Sequence, residues 1–136
     1  MRFETKIAVV LRENLPAWQK LNVTAFTVSG VAATDPTTVG EDYEDASGNR
    51  YLPMFRQPVL VFAGSAEKVR AAYDRAQERG VRLAIFTEEL FGTGYDEANR
   101  AAVKAVPSAA LRIVGMALRD DRKTVDKILK GLSLHG

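Results

Sequence analysis

Lys6-Ile7-Ala8-Val9-Val10-Leu11-Arg12 is a continuous apolar run with a cation at each end. A half-exposed strand alternates apolar and polar residues. An unbroken run predicts a strand buried on both faces, as at the centre of an α/β sheet. Glu13-Asn14-Leu15-Pro16 follows as a short polar turn. Asn14 is a helix-capping residue type, and Pro16 suits a first turn because its missing N–H leaves nothing unsatisfied there. Trp18, Leu21, Ala25, Val28 and Ala32 recur at three- and four-residue steps. That spacing predicts a helix to about Ala33 with these residues as its apolar stripe. Lys20, Thr24 and Thr27 follow the same spacing on another face. Val23, Thr24, Thr27, Val28 and Val31 are β-branched and lower the helix propensity of the stretch.

Outward from this unit, Pro58-Val59-Leu60-Val61-Phe62-Ala63 reads as a second buried strand. Ser65 is a natural cap for a helix over 66–79, with Val69, Ala72, Tyr73 and Ala76 on its apolar side. Gly80 fits the left-handed stop, and Val81 to Thr87 reads as a third strand. A short crossover helix between two apolar strands predicts that they pair in parallel. Glu88-Glu89-Leu90-Phe91-Gly92-Thr93-Gly94 is then a loop at the carboxyl end of a strand, the edge where open α/β sheets bind ligands. A short helix is expected from Tyr95 to about Ala105, and a fourth strand over Leu111–Leu118. Asp120 or Asp121 caps a last helix that buries Val125, Ile128 and Leu129 and stops at Gly131. The remaining residues, Leu132 to Gly136, read as a dangling or docked tail. Residues 34–57 read as an excursion from the main fold, with a small hairpin about Gly48, and Pro53 restricts any strand there to an edge. Core cover is the expected role of Tyr51, Met54 and Phe55. Four strands alternating with four helices predict one α/β domain over 1–136. Its economical form is a three-layer α/β/α sandwich around a mostly parallel or mixed four-stranded sheet.

Composition narrows the function classes. The chain has 136 residues, 46% of them apolar, which suits one domain with a real core. No apolar run approaches the ~20 residues of a membrane span, and the first strand follows with no secretory h-region, so the cytoplasm is the expected compartment. With no cysteine, disulfides and thiolate chemistry are excluded. No cofactor or metal is expected. Gly92-Thr93-Gly94 lacks the lysine and following Ser/Thr of a phosphate loop, and Asp120-Asp121 reads as capping. The sole histidine, His135, sits at the fraying end, which argues against a Ser-His-Asp triad. Net charge is +2, but residues 100–136 carry eight Lys/Arg against three Asp. Such a basic end suits either a solvated helix face or a polyanion such as RNA.

The order of these segments resembles type II peptidyl-tRNA hydrolases. The likeness rests on Lys6 to Leu15 opening the fold, the helix beginning near Lys20, Gln57-Pro58-Val59-Leu60-Val61 with the helix and strand that follow, and Val125 to Leu134 closing it. More closely, the chain is similar to an uncharacterised bacterial family with that fold, the domain-of-unknown-function family numbered two thousand. The resemblance implies the fold, and homodimers as a plausible assembly. The hydrolase motif carries over in part. Lys20 matches its lysine, Glu88 stands where it has an aspartate, Thr24 and Thr27 stand where it has glutamine and histidine, and Thr93 lies near its loop threonine.

Hydrolysing an acyl ester needs an activated water, an oxyanion stabiliser and a grip on the substrate. Lys20 and Glu88 are the candidate catalytic pair. Thr24, Thr27 and Thr93 can orient groups but do not titrate near neutrality. Arg12, at the end of the first strand, can meet an anion or pair with a neighbouring acid. With two motif positions replaced, the preferred reading is a ligand-binding or regulatory module. Its pocket would lie among Arg12, Lys20, Asn22, Thr24, Glu88 and Phe91, with Thr27 and Thr93 as further ligand-binding candidates and a small molecule or RNA as ligand. The alternative is a divergent acyl-ester hydrolase, peptidyl-tRNA included, using Lys20 and Glu88.

Overall fold

The computed structural model describes residues 3–136. The opening run forms β1 (Thr5–Arg12), followed by α1 (Ala17–Thr34), a hairpin of β2 (Tyr43–Glu44) and β3 (Arg50–Tyr51), then β4 (Val59–Gly64) and α2 (Ala66–Glu78). The chain continues through β5 (Ala84–Thr87), α3 (Asp96–Lys104), β6 (Ile113–Asp121), α4 (Arg122–Ile128) and β7 (Ser133–Leu134). Among the described residues the main sheet has five strands in the order β5-β6-β1-β4-β7. β1 is central, and Ile7, Ala8, Val9 and Val10 are fully buried. It pairs in parallel with β4 and antiparallel with β6, so the sheet is mixed.

Two expectations about the sheet are corrected. β4 and β5 do not pair. α2 carries the chain past β1 and β6, and β5 pairs antiparallel with β6 instead. A crossover helix fixes that two strands point the same way, but not how many strands lie between them. The tail is docked, as one of its two expected states, and it adds a fifth strand where four were expected. Leu134 pairs with Phe62 and Ser133 with Ala63, making β7 a fifth, edge strand.

Helices cover both faces. On one face, α2 and α4 bury Val69, Ala72, Tyr73, Ala76, Val125 and Ile128 against Ala8 and Val10. On the other, α1 buries Val23 and Val31 against Ile7, Val9 and Leu11. The local punctuation acts as expected. Ser65 accepts from the Lys68 N–H, Asp121 from the Thr124 N–H, and Gly80 takes φ of +66°. The excursion forms its hairpin with Gly48 at φ of +85°. Only Phe55 of its three expected cover residues packs on the core; Tyr51 and Met54 are exposed.

The stripe of α1 is the largest correction. Trp18 and Leu21 are 62% and 73% exposed, whereas Val23, Thr27 and Val31 are buried. Both sides of this helix are apolar, so periodicity alone could not choose between them. Close approach decides. Gly115 on β6 has no side chain, and Val23 fills the space a Cβ there would need. Gly30 brings α1 within 3.0 Å of the Ala84 Cβ, measured from where its own Cβ would stand. Thr27 can be buried because its hydroxyl donates to the Val23 carbonyl at 2.8 Å, leaving no donor orphaned. Ion pairs then tie helix ends to strands: Arg119 to Asp35 at 2.8 Å and Lys6 to Asp126 at 2.5 Å. No described helix is long and apolar enough to cross a membrane.

Gly115→Ala is therefore expected to destabilise the protein by about 1–3 kcal/mol, because the added methyl must displace Val23 or the β1 backbone. The midpoint of urea unfolding measures this; an unchanged midpoint would show that α1 does not depend on the close approach.

Candidate functional site

β1 and β5 both run antiparallel to β6, so their carboxyl ends lie on one edge of the sheet. Beyond β5 the chain makes a 3-10 turn, Glu88–Phe91, held to the sheet by the Glu88 N–H donating to the Arg112 carbonyl at 3.1 Å. This turn presents Glu88 to β1. Arg12 donates through Nη1 to Glu88 Oε1 at 2.7 Å, and Arg112 Nη1 lies 3.1 Å from Glu88 Oε2. Arg112 also reaches Glu89 Oε1 with Nη2 at 2.6 Å and Nε at 3.0 Å. Its hydrogen bonds hold the Glu89 carboxyl below the ordinary glutamate range, and the hydrogen bond to Glu89, then the charges of Glu89 and Glu88, raise Arg112 in return. Arg12 Nε donates to Asn14 Oδ1 at 3.4 Å, so the turn after β1 joins the same network. Each Glu88 oxygen thus faces a guanidinium group, which fixes the orientation of the carboxylate.

Lys20 faces elsewhere. Its Nζ lies 3.2 Å from His135 Nε2, with the ammonium donating and the ring nitrogen accepting. His135 is not on a loose end, since its backbone N–H donates to the Val61 carbonyl at 2.8 Å. Among the described residues, no hydrogen bond or ion pair joins Lys20 to Glu88. The hydroxyls of Thr24 and Thr27 are spent within α1, on the carbonyls of Lys20 and Val23, each at 2.8 Å. Thr27 is 2% exposed.

Asn22, Phe91 and Thr93 do come together, in a groove of about 360 Å³ between α1 and the start of α3. Trp18, Tyr95 and Asn99 also line it. The rings brace one another. Trp18 meets Phe91 edge to face at 6.1 Å, and Phe91 leans on Phe86 at 4.9 Å. The Thr93 hydroxyl lies between the Leu90 carbonyl, at 3.1 Å, and the Asn99 amide oxygen, clasping the loop to α3. Sequence reasoning missed Trp18, Tyr95, Asn99, Glu89 and Arg112. One signal was available for Trp18: α1 has a single charged residue, Lys20, in eighteen. A helix with no polar face has a second surface to account for. Among the described residues, no group of three or more His, Asp or Glu could hold a metal ion.

A family model described as protein of unknown function (DUF2000) matches residues 5–136. A solved structure of a protein of unknown function from Agrobacterium tumefaciens strain C58 is 47% identical, with a TM-score of 0.97, and the match covers 99% of this chain and 100% of that one. No curated protein matches. A family match over nearly the whole chain, together with a near-superimposable relative, places the chain in the DUF2000 family of proteins of unknown function.

Proposed function

We propose that this chain is a ligand-binding or regulatory module, one domain over 1–136 with a peptidyl-tRNA hydrolase type II-like fold whose catalytic site has been lost. One observation carries the reading. The acid at the hydrolase-like position, Glu88, is clamped between Arg12 and Arg112, while Asn22, Phe91 and Thr93 line an open groove beside it. A clamped carboxylate suits a rigid loop anchor better than a base that must take up a proton. A small molecule fits this reading better than RNA. Three of the eight cations of the C-terminal third are already paired: Arg100 with Asp96, Arg112 with Glu88 and Glu89, and Arg119 with Asp35.

The second reading, a divergent acyl-ester hydrolase using Lys20 and Glu88, draws support from the Lys20–His135 contact, which sets two titratable groups side by side. α1 suggests a further property. Leu21, Leu52 and Met54 are 73%, 82% and 57% exposed. Apolar side chains left exposed on α1 and on the excursion suit self-association, and a second copy of this chain is the partner we propose.

Addition of mixed aromatic and aliphatic fragments to ¹⁵N-labelled protein is expected to shift the Trp18 indole, Asn22, Thr93 and Asn99 resonances together. Shifts confined to other surfaces, or none, would remove the module reading. With peptidyl-tRNA and simple acyl esters, the protein is expected to show no more turnover than its Lys20→Ala and Glu88→Ala variants. Activity lost in both would instead establish the hydrolase. Sedimentation equilibrium is expected to show a dimer that Leu21→Glu with Leu52→Glu converts to monomer; a wild-type monomer at every concentration sinks that part of the proposal.

A further inference from the structure

We infer that the groove beside Phe91 takes an uncharged, planar nitrogen heterocycle of the nucleobase type, an inference that rests on the ligand-binding reading above and names its ligand class. The volume, about 360 Å³, falls in the range of roughly 300–1,000 Å³ usual for small-molecule sites. Its surfaces are aromatic. Phe86, 4% exposed, fixes Phe91 from beneath, and Phe91 braces the edge of Trp18. Trp18 and Tyr95 are nevertheless 62% and 67% exposed, and they reach the groove from two different segments, α1 and the loop ahead of α3. A ring braced yet open to water, as Trp18 is, makes a platform for stacking, and every heterocyclic base offers it a π face.

Ring faces alone would serve an alkyl chain nearly as well. The polar groups separate the two. Asn22 stands one helical turn beyond Trp18, lines the groove, and has no side-chain hydrogen bond among the described residues. Asn99 meets Thr93 through one atom of its amide, which leaves the other for a ligand. A neutral amide that both donates and accepts matches the rim of a nitrogen heterocycle, as Asn does with an adenine edge, and has no counterpart on an alkyl chain. Charge argues against a phosphorylated ligand. The one charged residue lining this groove is Asp96, an anion already paired with Arg100.

Trp18 is the only tryptophan, so its emission reports this groove alone. The probes are adenine, cytosine and uracil. Toluene serves as a ring with no hydrogen-bonding group on its rim and no emission in the tryptophan band, and cyclohexanecarboxamide as an amide without a π face. At least one base is expected to change Trp18 emission saturably. Tyr95→Ala should weaken that base roughly five- to fifty-fold. Asn22→Ala should weaken it roughly ten-fold while leaving toluene unchanged. Both residues are exposed, and circular dichroism confirms that the variants fold. Saturation by cyclohexanecarboxamide but by no base overturns the heterocycle and leaves the ligand-binding reading standing. No saturable change with any base overturns the inference, and if fragments also fail to shift the groove resonances, the ligand-binding reading falls with it. Equal base affinity in wild type and Asn22→Ala overturns recognition through the rim.

Discussion

A helix can approach a sheet only as far as the side chains between them allow, and here Gly115 sets that distance. With no Cβ on β6 at this point, Val23 drops into the space, and Gly30 lets the later turns settle over Ala84. The rotation of α1 about its own axis follows from this seating. Val23, Thr27 and Val31 turn inward, so Trp18 and Asn22 must turn outward. The groove is thus a by-product of core packing. A bulkier residue on β6 would lift or rotate the helix and move both groove residues with it.

The other wall depends on electrostatics as well as on the packing of Leu90 and Phe91. The turn after β5 buries no residue fully. It is held by the Arg12–Glu88–Arg112–Glu89 network and by the clasp of Thr93 on Asn99. Partly exposed ion pairs contribute modestly one by one, but a connected set restricts geometry more than its separate energies imply. Phe91 lies within the same turn, so the position of an aromatic wall is tied to the pairing of two acids with two guanidiniums.

What could be read in advance was local. Ile7 to Leu11 announced a central strand because burial on both faces leaves no room for polar residues. Ser65, Gly80 and Asp121 marked helix ends through hydrogen bonds within a few residues and a positive φ. What could not be read was relational. Nothing in α2 tells how many strands it passes on its way to β5. Nothing in α1 says which of two apolar sides meets the sheet, because Gly115, more than eighty residues away, makes the choice. The site shows the same division. Asn22, Phe91 and Thr93 were legible as neighbours of a strand end, but Tyr95 and Asn99 join them only through the folding of α3 against the turn. Lys20 and Glu88 were linked by analogy of sequence order, and each has found a different partner.

The smallest strand has a protective role. β4 would otherwise form the rim of the sheet, and its unpaired amide and carbonyl groups would offer a template for foreign chains. Ser133 and Leu134 cover part of it, and the His135 amide closes one more position by bonding Val61. Two residues are enough to blunt such a rim without extending a new one. Whatever frees Ser133 to His135 from β4 would therefore open the sheet to neighbouring molecules adding themselves along that side.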